Sequence, residues 1–163
     1  MKAEENLPPL AVVVRVRGSV NVTRDVSATL RKLRLLRVNS STLVRLTPPV
    51  EGMLRSVKEH VFWGRVDKNT LRLLLLKRGR LPGDRRLSDE NVSKYTRFRT
   101  LDELVEAVWL SSSPAEAIKP VKPVFRLTPP KGGFKRSVKK PVKKGGILGD
   151  WGDRVGWMLR RMV

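Results

Sequence analysis

Between Lys131 and Lys144 the chain reads KGGFKRSVKKPVKK, in which seven Lys or Arg surround one phenylalanine. Gly132 and Gly133 let a backbone approach a phosphate closely. Lys131, Lys135, Arg136, Lys139, Lys140, Lys143 and Lys144 would release counterions on meeting a polyanion, and Phe134 would either stack on an unpaired base or anchor the loop. The bland alternative is a solvated linker. From Ala117 to Gly149 there are ten Lys or Arg and no acidic residue. Nothing in this pattern specifies a base sequence.

A second, less specific basic set is Arg15, Arg17, Arg24 and Arg31, the first two alternating along a strand and the others on the outer side of a helix. Such charges either contact an anionic partner or only solubilise the surface. Trp63, followed by Gly64, reads as a stacking residue or a core aromatic. Trp151 and Trp157 flank Asp153 and read as pins for a C-terminal helix. His60 is the only histidine and has neither cysteine nor a carboxylate cluster beside it, so no metal site is expected. No Ser, His and Asp stand in a context that suggests a nucleophile, and KKGGILGD lacks the order of a phosphate-binding loop. No cofactor, small-molecule substrate or catalytic residue is expected.

Composition agrees with an anionic macromolecule as partner. The 163 residues carry 35 Lys and Arg against 15 Asp and Glu, a formal charge of +20. No apolar run approaches the ~20 residues that span a bilayer, and no lipidation or signal pattern is present, so no membrane partner is expected. With no Cys, disulfides and thiolate metal sites are excluded.

The elements that must position these residues begin with a strand at Leu10 to Arg17, placing Val12, Val14 and Val16 on one face and Val13, Arg15 and Arg17 on the other. A helix capped at Asn21 or Thr23 follows, with Val22, Val26, Leu30, Leu33 and Leu36 on its apolar side and Arg24, Arg31 and Arg34 on or near the other. A strand at Ser41 to Leu46 runs into RLTPP, where Thr47 caps a helix opening on Pro48. A strand at Phe62 to Val66 completes a β-α-β-α-β pattern. A helical section then opens at Asp67 or Asn69 and runs Leu71 to Arg78, with Gly79 as a left-handed C-terminal residue; LPGD turns, Ser88 starts a short helix, and Thr100 to Glu103 form a capping box. Extended chain returns at Pro123 to Leu127 before a second RLTPP at 126–130. The basic run beyond it is broken by Pro and Gly and is expected to be disordered alone. Asp153 starts a short helix burying Val155, Leu159 and Met162 or Met158.

Five stretches then carry a family resemblance: VRVRGSVNV (Val14 to Val22), LRLLRVN (Leu33 to Asn39), FWGRVD (Phe62 to Asp67), PVFRLTPPKGGFK (Pro123 to Lys135) and GGILGDWGD (Gly145 to Asp153). Together they resemble the archaeal branch of the ribosomal large-subunit protein L-thirty family, with eukaryotic L-seven relatives. The resemblance implies an α+β fold with a ferredoxin-like β-α-β-α-β core, a helical insertion and a basic C-terminal extension. Its divisions are an N-terminal arm at 1–9, a core at 10–66, a helical section at 67–119, a returning extended segment at 120–130, and an RNA-binding tail with a short helix at 131–163. It further implies a non-catalytic, cytoplasmic ribosomal protein on large-subunit rRNA, toward the 5S RNA and beside other ribosomal proteins. Asn21, Arg34, Arg37, Asn39 and Arg126 join the RNA-contact set through these stretches. This chain lacks the long basic N-terminal arm of the eukaryotic members, and its first VRLTPPVEGML matches the family only loosely. Two other classes share parts of the pattern: a chromatin-like DNA-binding module, and an RNA-modifying enzyme working through His60 and Asp67.

Overall fold

A computed structural model describes residues 6–163; the first five residues of the expected arm lie outside that range. The chain is α+β, with six strands in one mixed sheet among the described residues. They are β1 (Leu10–Arg15), β2 (Ser40–Arg45), β3 (Val61–Arg65), β4 (Val124–Arg126), β5 (Ser137–Pro141) and β6 (Gly146–Asp150), in the spatial order β4-β2-β1-β3-β6-β5. β1 runs antiparallel to both β2 and β3, β4 is antiparallel to β2, and β6 is parallel to β3.

Strand alternation sorts β1 and β3 onto two cores. Val13 and Val61 pack with Leu30, Leu33, Leu35, Leu54 and Val57 beneath two helices, α1 (Arg24–Lys32) and α2 (Pro48–Ser56). Val12, Val14 and Phe62 face the larger core on the opposite side. That core is built from α3 (Lys68–Arg78), α4 (Asp89–Tyr95), α5 (Leu101–Leu110), the short α6 (Pro114–Ala117) and α7 (Val155–Met162). The sheet is therefore covered on both faces. At Gly64 the packing is tight: a Cβ there would lie 2.3 Å from the Gly152 carbonyl oxygen and 2.6 Å from Val155 Cβ.

Helix α1 ends earlier than the apolar spacing suggests. Arg34 takes a left-handed φ of 61°, its N–H donates to the Arg31 carbonyl, and the Leu35 N–H donates back to Leu30 at 2.8 Å. This is a Schellman closure. It shifts the register, so Leu35 is buried and Leu36, expected inside, stands 65 % exposed. At the N-terminus Thr23, not Asn21, caps the helix.

Gly79 also departs from expectation. Its φ of −59° is not left-handed. A Cβ there would meet the Leu75 carbonyl oxygen at 2.3 Å and Leu87 at 3.1 Å, so glycine serves close packing at the end of α3. The box at α5 forms with a variation: Thr100 Oγ1 accepts from the Glu103 N–H, while Glu103 reaches the N–H of Arg99, one residue before the cap.

The largest correction concerns the basic run, which does not stay without structure. A short 3-10 turn at Val142–Lys144 leads into β6, and β5 lies parallel to β6 with an irregular register. Every residue of β5 is exposed, so no burial period marks it. Its order rests on backbone pairing to β6, whose Ile147 and Leu148 are buried. The helix α7 buries Val155, Met158, Leu159 and Met162 together.

Candidate nucleic-acid interface

The basic residues gather in three places. The first is a groove of ≈ 630 Å³ between the turn ahead of β3 and the β5–β6 edge. Its cations are Arg17, Lys58, Lys139, Lys143 and Lys144, and Trp63 forms part of its wall. The indole is half-buried, resting on the smaller core. Arg17 is held there by a bond from its guanidinium to the Glu59 carbonyl at 3.2 Å. Five cations against the two carboxylates of Glu59 and Asp150 leave the groove net basic around a partly open aromatic face, which suits a phosphate backbone whose bases can stack.

The second lies along the open edge of the sheet, where β4 carries exposed Arg126. There Arg34, Arg37, Arg80, Lys122 and Arg126 surround the exposed side chain of Leu36. Asn39 sits behind them at φ 63°, its carbonyl accepting from the Leu127 N–H at 2.9 Å. Exposed Asn21, at φ 57°, precedes α1, whose Arg24 and Arg31 are also exposed.

The third is the loop after the second RLTPP. Gly132 and Gly133 have φ of 76° and 72°, and Lys135 follows at 54°. The loop is held from behind by α7. Arg161 donates to the Lys131 carbonyl at 2.6 Å and to that of Gly133 at 2.6 Å, and the Lys131 N–H returns a bond to the Arg161 carbonyl. Thr128 adds two bonds to the Met162 carbonyl, one from its N–H and one from its hydroxyl. Phe134 is partly buried against the larger core, so it anchors the loop, while Lys131, Lys135 and Arg136 stay exposed. Lys140 is exposed on β5.

One expected contact is withdrawn. Arg15 is 4 % exposed and its guanidinium is spent inside the protein: Nη1 donates to the carbonyls of Leu35 at 2.7 Å and Leu36 at 3.0 Å, Nε to Arg17, and Nη2 to Ser19 Oγ. Burial lowers its pKa. The alternation that placed it outward is correct, but α1 and its following loop cover that face. Arg45 of the first RLTPP is buried in the same way, donating to Pro8, Trp109 and Ser111 carbonyls, whereas Arg126 of the second copy is free at the edge. The pentapeptide is thus an internal brace in one place and an exposed strand end in the other.

Sequence reasoning missed Lys58, Arg80 and Lys122. Each lies in a turn or loop, where no periodic pattern points it toward a site. Among the described residues no group of His, Cys, Asp and Glu could hold a metal, and no helix is long and apolar enough to cross a membrane.

The family pattern of ribosomal protein L30p/L7e matches residues 11–61, from β1 to the start of β3. Similarity continues well past that segment. A large ribosomal subunit protein uL30 from Methanopyrus kandleri is 41 % identical over 149 residues, covering 91 % of this chain and 100 % of the relative. This chain belongs to the ribosomal protein L30p/L7e family. The uL30 protein of Methanococcus maripaludis is 44 % identical over 152 residues, with 93 % and 97 % of the two chains covered. That of Korarchaeum cryptofilum is 42 % identical over 155 residues, covering 95 % and 96 %. The chain is therefore an archaeal-type L30p/L7e ribosomal protein, and it is not an enzyme. Alignments over 91 % to 95 % of this chain extend the L30p/L7e similarity far beyond the segment matched by the family pattern.

Proposed function

We propose that this L30p/L7e chain is a structural constituent of the large ribosomal subunit that binds and stabilises ribosomal RNA. Its principal contacts are the Trp63 groove and the segment 131–144, with the β4 edge and the outer side of α1 as a second face. The observation that carries the reading is the convergence of Arg17, Lys58, Lys139, Lys143 and Lys144 on one aromatic-walled groove in a chain of charge +20. Residues 10–66 act as a ferredoxin-like core that sets position; 67–119 form a helical insertion, 120–130 return to the sheet, and 131–163 bring the basic surface. The partners are large-subunit rRNA toward the 5S RNA and adjacent ribosomal proteins, and the working location is the cytoplasmic ribosome. The mechanism is phosphate neutralisation by residues that the fold has already arranged.

The test is a salt titration of binding to large-subunit rRNA fragments. Neutralising about 6 to 10 phosphates should cost roughly 10³- to 10⁵-fold in affinity between 50 and 200 mM salt. Replacing Lys135, Arg136, Lys139 and Lys140 together by Ala should lower the slope of log K against log salt by about 3. Replacing Arg72 and Arg78 should do much less, because Arg72 is committed to Asp102 at 2.7 Å and Arg78 to Thr128 at 3.2 Å. Equal losses from the two sets would mean that charge is read globally. A DNA-binding module would instead stay with cellular nucleic acid through RNase and leave with DNase.

A further inference from the structure

A cleft of ≈ 740 Å³ opens between the start of α3, the N-terminal half of α7 and the loop at Phe134. Two carboxylates, Asp67 and Asp153, line it beside Arg136 and Arg160. Carboxylates line the basic grooves too, Glu59 and Asp150 beside Trp63 and Asp84 at the β4 edge, but there Asp150 accepts from the Gly152 N–H at 2.8 Å and Asp84 pairs with Lys122 at 3.4 Å. Among the described residues neither Asp67 nor Asp153 makes an ion pair or accepts a hydrogen bond; Asp67 stands at the N-cap of α3 without capping it. At the floor Thr70 is 2 % exposed with its hydroxyl unpaired. Trp157 forms a wall, 54 % exposed, with the Arg161 guanidinium 4.7 Å from its ring centroid.

We propose that this cleft receives a single guanine extruded from RNA, an inference that rests on the RNA-binding reading above. Carboxylates repel phosphates, so a cleft that served the backbone alone would not place two of them unpaired beside its arginines. A nucleotide presents both chemistries. Its phosphates meet Arg136 and Arg160, its base stacks on Trp157, and its N–H donors face a carboxylate. Guanine is the base that fits, because its N1–H and N2–H lie side by side and match the two oxygens of one carboxylate. Adenine and cytosine set an acceptor nitrogen beside their amino group. Uracil sets its one N–H between two carbonyls.

The experiment uses the full chain and labelled pentaribonucleotides UUGUU, UUIUU and UUAUU at low salt, where I is inosine, which lacks the 2-amino donor. The guanine oligomer should bind about 5- to 150-fold tighter than the other two, the discrimination of one good bidentate base contact. Asp67→Asn and Asp153→Asn separate this from charge attraction. Phosphate attraction alone predicts equal or tighter binding of every oligomer by these more basic variants. The guanine cleft predicts that at least one of them loses the guanine preference while still binding UUAUU. Trp157→Ala should weaken all three oligomers. Equal binding of the three oligomers by the native chain overturns the guanine site and leaves the RNA-binding reading intact. Failure of the native chain to bind these oligomers or longer RNA at low salt overturns both.

Discussion

Arg15 ends β1 and Arg17 lies two residues past it with the same chemistry, yet one is a strut and the other a surface charge. The difference is set by what covers them. Arg15 ties the loop after β1 to the end of α1 through the Leu35, Leu36 and Ser19 oxygens, so Arg15→Ala strands buried carbonyls and should cost about 2–3 kcal/mol. A denaturant titration should show a lower midpoint at unchanged slope. Arg15→Lys should recover little, since an ammonium cannot span the same fork of acceptors. Burial, then Arg17 and Arg15, depress the pKa of nearby His60 below 6.5. Protons therefore bind the unfolded chain more readily than the folded one. His60 supports full stability above pH 6.5, and that contribution is lost as the pH falls through the folded-state value. His60→Gln should flatten the acid limb of the stability curve in thermal melts between pH 7 and pH 5. The alternation of β1 was legible in the sequence, but the depth of Arg15 was not, because burial on that face depends on a helix and loop arriving from elsewhere in the chain.

Elements with a strong local signal stand where the sequence places them: the start of α1 at Thr23, the helix opening on Pro48, the capped α5, and α7 with its four buried side chains. The misplaced features are those decided by a tertiary partner. Continuing the helical period past Arg34 places Leu36 inward, but the left-handed residue at Arg34 stops the helix. The β5 strand has no burial period and exists through its pairing with β6, so composition alone reads it as unstructured. The sequence context of Phe134 suits either stacking or anchoring; packing against the larger core decides for anchoring. The loop it anchors depends on α7 through the Arg161 guanidinium. Arg161→Ala should remove about 1–2 kcal/mol of local stability and so speed tryptic cleavage after Lys131 or Lys135 roughly 5- to 30-fold, without a comparable fall in the global unfolding midpoint. Unchanged cleavage would mean that the loop is held by its glycine turns and Phe134 alone. Gly64→Ala is a different case: the new Cβ meets backbone on α7's approach to β3, and the whole fold should lose about 3 kcal/mol or more.

At the scale of the molecule, a covered sheet carries charge on three separated surfaces, and its exposed edge strand β5 is lysine-rich. Exposed edges invite pairing with other chains, and lysines on them oppose it through like-charge repulsion. The same lysines remain available to a polyanion, so solubility before assembly and binding during assembly draw on one set of residues. The charge, the glycine- and Phe134-bearing basic run and the family resemblance point to nucleic acid from the sequence; how the tail, the Trp63 wall and the turn at Lys58 meet in one groove required the parallel pairing of β6 on β3. The central claim is residence in the large subunit through contacts to RNA. It is tested most directly by purifying large subunits through a high-salt wash and measuring the amount of this chain per particle. The account predicts one copy on each intact subunit, with release on RNase digestion. Its absence from otherwise intact, washed particles would contradict the account.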